Sequence, residues 1–278
     1  MAINWYPGHM VKAKREIEEN MKLVDIVAVL LDARAPFSCR NADLEKICRR
    51  KRMLLVLNKI DLASPDLTQQ YISRLRQQGE RVTSIDSTSG KGLPEVIQTI
   101  KDIYQPQVAE MLRKGRRVRP ARIMVVGVPN IGKSTFLNCL VGKKMAQTGA
   151  KPGITRGKQW VRIREDIELM DTPGLMWPKV EAEEQGLKLA LLNIVGEKAY
   201  NEEEVALYLL KTLQEKSQET LSDKLRVINP DINPEELLEE IALRRGHLLK
   251  AGMLDTSKTC TALLHDYRKG KLCRISLD

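Results

Sequence analysis

The stretch Gly127-Val128-Pro129-Asn130-Ile131-Gly132-Lys133-Ser134 decides the fold. It fits G-x-x-x-x-G-K-[ST], follows the apolar run Ile123-Met124-Val125-Val126 and opens a helical pattern at 133–141. Strand, glycine-rich turn and helix in that order make a phosphate cradle. The glycines let backbone N–H groups converge on the phosphates. Lys133 brings a cation to the β/γ oxygens, and the Ser134 hydroxyl ligates Mg²⁺. The turn thus supplies Gly127, Asn130, Ile131, Gly132, Lys133, Ser134 and Thr135 to nucleotide binding.

Working outward, short apolar runs alternate with amphipathic stretches. The runs are Ile26 to Leu31 ending at Asp32, Met53 to Leu57 ending at Asn58, Arg81 to Ile85, Trp160 to Ile163, and Ile167 to Met170. Helical patterns lie at 43–50, 67–77 and 93–104. Nearly continuous apolar strands alternating with helices predict an α/β, doubly wound, mostly parallel sheet of the P-loop NTPase kind. In such sheets the ligand sits beyond the carboxyl ends of the strands, so the polar residues there carry the chemistry.

Asp171-Thr172-Pro173-Gly174 follows one of these strands. Downstream of a P-loop, Asp171 can hold the Mg²⁺ shell and the Gly174 N–H can reach a γ-phosphate. Between the two lies Lys151-Pro152-Gly153-Ile154-Thr155-Arg156-Gly157, whose composition suits a switch loop with Thr155 as a second hydroxyl on Mg²⁺. Asn58-Lys59-Ile60-Asp61 is the base reader. The Asp61 carboxylate can accept from both guanine N1–H and the exocyclic amine. Adenine offers neither donor, and a buried polar group left unpaired rejects an analogue by about 10⁴-fold in the best cases. Asn58 and the Lys59 stem can hold the loop and cover the ring. Ser87-Thr88-Ser89 either offers a backbone N–H to guanine O6 or is a plain polar turn before Gly90-Lys91-Gly92.

The order of these motifs is unusual. Ordinary GTPases read P-loop, switch I, D-x-x-G, N-K-x-D and then the S-A-K-like loop. Here Asn58–Asp61 and Ser87–Ser89 precede the P-loop, Thr155 and Asp171–Gly174. A circular permutation keeps the sheet, with a basic linker near 105–120 bridging the old termini. Its Arg113-Lys114-Gly115-Arg116-Arg117-Val118-Arg119-Pro120 core is either a solvated connector or a phosphate-backbone contact. The nucleotide-binding domain is expected over 1–177. Past Trp177 the strands stop. Helix starts at Asn201 and Asn233-Pro234, and a helical run from Thr256 to Lys269 stopping at Gly270, predict a smaller all-α domain over 178–278. Residues after Gly174 lead straight into it, so movement of that switch is expected to reorient it.

Composition narrows the class. Of 278 residues 42% are hydrophobic and 29% charged, which excludes wholesale disorder. Lys+Arg total 46 against 36 Asp+Glu, a net charge of +10 that favours a polyanionic partner. Aromatics are only 4%, which argues against base stacking as the main binding mode. Five scattered cysteines, odd in number and without a C-x-x-C pair, fit a reduced chain. No apolar run reaches membrane-helix length and the N-terminus lacks a signal-peptide pattern, so no membrane association, a cytoplasmic setting and a monomer are expected.

With these motifs in place the sequence resembles the circularly permuted GTPases of the YlqF/YawG family. The resemblance spans nearly the whole chain. It is carried by Trp5-Tyr6-Pro7-Gly8-His9-Met10, Asp32-Ala33-Arg34-Ala35-Pro36, the permuted motifs, and Gly270-Lys271-Leu272 through Ile275. It implies a GTPase that binds the large ribosomal subunit late in assembly, with the helical domain on ribosomal RNA. GTP hydrolysis leads; a nucleotide-locked RNA-docking scaffold with negligible turnover is the alternative. Leu175 stands where a water-orienting Gln follows D-x-x-G in other GTPases. The resemblance makes His9 the substitute that orients water, against a role in RNA binding or packing. It also makes Asn130 a K⁺ ligand beside the phosphates, against a loop-stabilising amide.

Overall fold

The computed structural model describes residues 15, 17–142, 160–170, 180, 182–196 and 199–278. These fall into two compact units. One comprises the described residues up to 60 and 65–170; the other combines Asp61–Ser64 with the described residues from 180 onward.

The first unit is built on six strands: β1 (Ile26–Asp32), β2 (Arg52–Asn58), β3 (Val82–Ile85), β4 (Ala121–Val126), β5 (Trp160–Arg164) and β6 (Ile167–Met170). Their order is β3-β2-β1-β4-β6-β5. All neighbours are parallel except the β5–β6 hairpin. β1 is buried along its whole length. A strand covered on both faces needs an apolar run rather than alternation, which is why Ile26 to Leu31 carries no polar residue until Asp32. The connecting helices are α1 (Ala42–Cys48), α2 (Pro65–Gln77), α3 (Leu93–Arg113) and α4 (Lys133–Val141). α3 packs on β1, β2 and β3 through Val96, Ile97, Ile100, Ile103 and Tyr104. The spacing is that of one helical face, and each such side chain contributes about 1.5–3 kcal/mol on burial.

The basic linker is shorter than the sequence suggests. α3 does not stop near Tyr104 but runs through Pro106 to Arg113. Pro106 removes one backbone donor, yet Gln107 in the next position accepts from Arg52 at 2.7 Å and donates to Asp25 at 3.0 Å. Those bonds hold the extension against the sheet. The connecting segment is therefore 114–120.

Gly92 enters α3 with φ +95°, and a Cβ there would lie 2.3 Å from the Ser84 carbonyl oxygen. That oxygen is backbone and cannot move aside. Gly92→Ala is expected to destabilise this unit by about 3 kcal/mol or more. Tm should fall by roughly 6–12 °C in a thermal melt. An unchanged Tm would show that the β3–α3 approach is looser than described.

The second unit holds α5 (Glu183–Leu191), α6 (Glu202–Lys216), α7 (Gln218–Asp223), α8 (Pro234–Arg245) and α9 (Thr256–Arg268). The caps are chemical. Asn201, Asn233 and Asp255 accept from the N–H groups of Glu203, Glu236 and Lys258. α8 ends at Gly246 with φ +64°. α6, α8 and α9 pack on one another. Their facing side chains, among them Leu209, Leu213, Ile241, Leu263 and Tyr267, are fully buried. Tyr267 Oη donates to Ile275 O, and Lys216 Nζ to Ser276 O at 2.9 Å, which ties the chain end to this core. Ser64 N donates to Ser276 Oγ at 3.2 Å. No helix among the described residues is long and apolar enough to cross a membrane.

Candidate nucleotide site

β1 and β2 end in register, with Asp32 opposite Asn58, and Ile85 of β3 lies opposite Asn58 on the other side. The pairing continues past the ends: Ala33 N donates to Asn58 O at 2.8 Å. The carboxyl ends of three strands thus form one edge. β4 delivers the P-loop beside it. Gly127 passes so close to β1 that a Cβ would lie 3.1 Å from Leu30 O. Gly132, with φ +92°, begins α4, so Lys133 and Ser134 occupy its first turn, where backbone N–H groups have no acceptor within the helix. Lys133 is half-buried; Ser134 and Thr135 are exposed.

Asn58 is the joint of this edge. It is buried, its Nδ2 donates to Ile131 O at 3.0 Å, and its Oδ1 accepts from Ser87 Oγ at 2.7 Å. One amide thereby holds the end of β2, the P-loop and the loop after β3. Lys59 adopts φ +62° and sends Nζ to Asn130 O at 2.7 Å. Asn130 itself is left-handed, with φ +55°. Both non-glycine residues hold a sparsely populated conformation that costs about 1–3 kcal/mol, and the bond from Lys59 Nζ to Asn130 O joins them.

Three contributors lie outside the nucleotide-binding motifs. Asp32 is fully buried; Arg34 Nε and Nη2 each bond a different carboxylate oxygen of Asp32 at 2.9 Å, and Lys59 Nζ lies 3.1 Å from Oδ2. Burial alone would raise this carboxyl. The Arg34 guanidinium, by charge and hydrogen bonds, and then Lys59 outweigh it and hold the pKa to about 2. Arg34 is buried with it, so Asp32-x-Arg34 is a clamp on the Lys59 ammonium. Asp86 closes the loop after β3. Its Oδ1 accepts from Thr88 N at 2.8 Å, its Oδ2 from Ser89 Oγ, and its backbone N–H donates to Lys91 O at 2.9 Å. Ser87 faces Asn58 from this loop, while Thr88 and Ser89 are exposed. Polar residues ending apolar strands were the available signal for Asp32. Its partner is set by register.

Asp61 opens the short stretch Asp61–Ser64 that belongs to the helical unit. His9, Thr155, Asp171, Gly174 and Leu175, and the segment joining Gly174 to the helical unit, lie outside the described residues.

Comparison with known proteins agrees with this geometry. The family model described as 50S ribosome-binding GTPase matches residues 122–237. The match starts in β4 and takes in the P-loop but not Asn58–Asp61, as a permuted motif order requires. The chain is 40% identical to ribosome biogenesis GTPase A of Bacillus pumilus, covering 98% of this chain and 96% of that protein. It is 32% identical to the mitochondrial ribosome-associated GTPase 1 of Mus musculus, over 99% and 89%. Among solved structures, GNP-bound YlqF from T. maritima superposes with a TM-score of 0.69 at 26% identity, over 96% of this chain and 97% of that one. A fold with the P-loop downstream of the Asn58–Asp61 motif, and relatives matching over essentially their full length, place the chain in the family of circularly permuted, YlqF-type ribosome biogenesis GTPases.

Proposed function

We propose that the protein binds guanine nucleotide at the carboxyl ends of β1 to β4, hydrolyses GTP to GDP and phosphate, and acts late in assembly of the large ribosomal subunit. The observation that carries the reading is the Asn58 amide, bonded at once to Ile131 O of the P-loop and to Ser87. It ties base-reading and phosphate-binding segments together although they lie far apart and in reversed order along the chain. The names of the relatives, ribosome biogenesis GTPase A and mitochondrial ribosome-associated GTPase 1, support the biological setting.

In this reading Gly127, Asn130, Ile131, Gly132 and Thr135 shape the phosphate cradle, and Lys133 neutralises charge developing on the transferred phosphoryl group. Asn58, Lys59, Ser87 and Thr88 set the base loop, and Asp61 reads guanine. Mg²⁺ would be held by Ser134, Thr155 and Asp171. The exposed Ser134 hydroxyl beside the half-buried Lys133, at an open helix start, fits that role. When bound, the ion offsets phosphate charge. K⁺ would sit at Asn130, an oxygen-bearing residue held in the left-handed region within the P-loop. Gly174 contacts the γ-phosphate, and His9 orients the attacking water in place of the residue that Leu175 cannot supply. The protein works in the cytoplasm as a monomer, with ribosomal RNA and ribosomal proteins as partners.

Steady-state GTP turnover with and without purified large subunits, in matched K⁺ and Na⁺ buffers, tests this. Stimulation by about 10³-fold or more, the range in which a partner completes a GTPase site, is expected, with a further gain in K⁺. Confirmed subunit binding without stimulation would instead favour the scaffold reading, which no observation now supports.

A further inference from the structure

The opposite end of the sheet carries a second set of cations that the nucleotide site does not use. β4 runs six residues from Ala121 to the P-loop, so its start lies about 20 Å from the phosphate cradle. At that start the 114–120 connector meets the β5–β6 turn around a groove of about 470 Å³, lined by Arg117, Val118, Arg119, Arg162, Glu165 and Asp166.

The connector is not a loose tether. α3 stops in a Schellman turn: Gly115 takes φ +65°, its N–H bonds Leu112 O at 3.0 Å, and Arg116 N bonds Met111 O at 2.9 Å. Four residues later Arg119 is clamped. Its Nη1 and Nη2 bond the two oxygens of Asp25 at 2.7 and 2.8 Å, and its carbonyl accepts from Tyr104 Oη at 3.2 Å. Burial would raise the Asp25 carboxyl, but the bonds from Arg119, Arg122 and Gln107 bring it below the usual range, so the clamp is ionic at neutral pH.

Around these two fixed points the remaining cations are exposed. Arg113, Arg116 and Arg117 make no ion pair or side-chain hydrogen bond with any described residue, and the same holds for Arg164 on β5. Nearby carboxylates bond other cations: Glu110 pairs with Lys114 and reaches Arg113 and Arg116 only through its field, and Asp166 pairs with Lys101. Glu165 offers its carbonyl to Arg162. The result is a connector anchored at both ends whose guanidinium forks are hydrogen-bonded to no carboxylate among the described residues. Such forks match phosphate oxygens bidentately. The scarcity of aromatics argues against splayed single strands and for the backbone of a folded RNA.

We propose that the α3 stop and the β5–β6 turn form an RNA-backbone docking face on the GTPase unit, at the end of the sheet away from the nucleotide. The inference rests on the ribosomal reading above and adds where this unit meets RNA. It resolves the two readings of the basic connector: Arg119 is structural, whereas Arg113, Arg116 and Arg117 are contacts.

The test compares wild type with a triple variant, Arg113→Gln, Arg116→Gln and Arg117→Gln, and with the corresponding triple Arg→Lys variant. Kd is measured for an RNA duplex of about 20 base pairs and for purified large subunits across a KCl series, with GDP affinity and Tm read alongside. The Gln variant should bind both at least about 10-fold more weakly at moderate salt. The slope of log K against log salt should be shallower by about 2–3, near 0.9 per phosphate lost. The Lys variant should keep the wild-type slope, and GDP affinity and Tm should not move. Unchanged Kd and slope in the Gln variant would overturn the proposal. Weakened subunit binding with unchanged duplex binding would also overturn it and point to a protein partner. If wild type binds neither duplex nor subunit, the ribosomal reading itself fails.

Discussion

Replacing Asp32 by asparagine is expected to cost both stability and nucleotide affinity. The side chain is isosteric, so packing is unchanged; what is lost is the anion between Arg34 and Lys59. A fall in pKa from the ordinary aspartate range near 4 to about 2 corresponds to about 2 kcal/mol of stability. Removing one partner of a buried ion pair generally costs about 3–5 kcal/mol. The loss should lie between these, a fall in Tm of roughly 10 °C. Lys59 loses its clamp, and GDP affinity should fall with it although Asp32 need not touch the nucleotide. The pH dependence has a definite sign. The folded pKa is depressed, so the contribution is complete above the unfolded value and is lost as pH falls from about 4 through about 2. Wild type and Asp32→Asn should therefore differ most at neutral pH and converge in acid. Equal melting temperatures at pH 7, or a gap that widens in acid, would contradict the clamp.

Gly132→Ala should act on the phosphate site directly. At φ +92° an L side chain is strained, and its Cβ would lie 2.6 Å from Asn58 Nδ2. A flexible neighbour could yield. Asn58 cannot do so cheaply, because it is buried and bonded to Ile131 O and Ser87 Oγ. The substitution breaks the joint between the P-loop and the end of β2 from the P-loop side. GDP affinity should fall at least about 100-fold, near 2.7 kcal/mol, in a fluorescence titration with labelled nucleotide. Folding should survive, since β4 and α4 keep their buried residues, and circular dichroism would confirm it. Wild-type affinity in a folded variant would show that Asn58 does not couple the two loops.

These effects show which parts of the protein were legible as sequence. The strands were, because a covered parallel sheet demands apolar runs, and Ile26–Asp32 and Arg52–Asn58 show them plainly. The position of the P-loop was legible because a glycine-rich turn between strand and helix needs fixed residue types at fixed spacing, and Gly132 does stand at the start of α4. The full length of α3 was not. Pro106 reads locally as a stop, and only the non-local bonds of Gln107 to Arg52 and Asp25 show the extension held against the sheet. α5, interrupted by Gly186, and the six-residue α7 are too short and weakly patterned to stand out from their own residues. The Asp32–Lys59 pair was hidden for a related reason. It depends on Asp32 and Asn58 lying opposite each other in adjacent strands, and register is a property of the sheet, not of either segment.

In the proposed function the loop after β2, upstream of the P-loop in the chain, reads the base of the nucleotide. Equilibrium binding of GTP, ATP and xanthosine triphosphate to wild type and to Asp61→Asn tests it most directly. Guanine offers two donors to a carboxylate; xanthine replaces the amine with a carbonyl, which an asparagine amide can match. Wild type should bind GTP and reject ATP strongly. Asp61→Asn should lose GTP by about 10²-fold or more and gain xanthosine triphosphate, since a site built for one hydrogen-bond pattern rejects the other. Unchanged GTP affinity in Asp61→Asn, or wild-type binding of ATP as tight as GTP, would contradict the account.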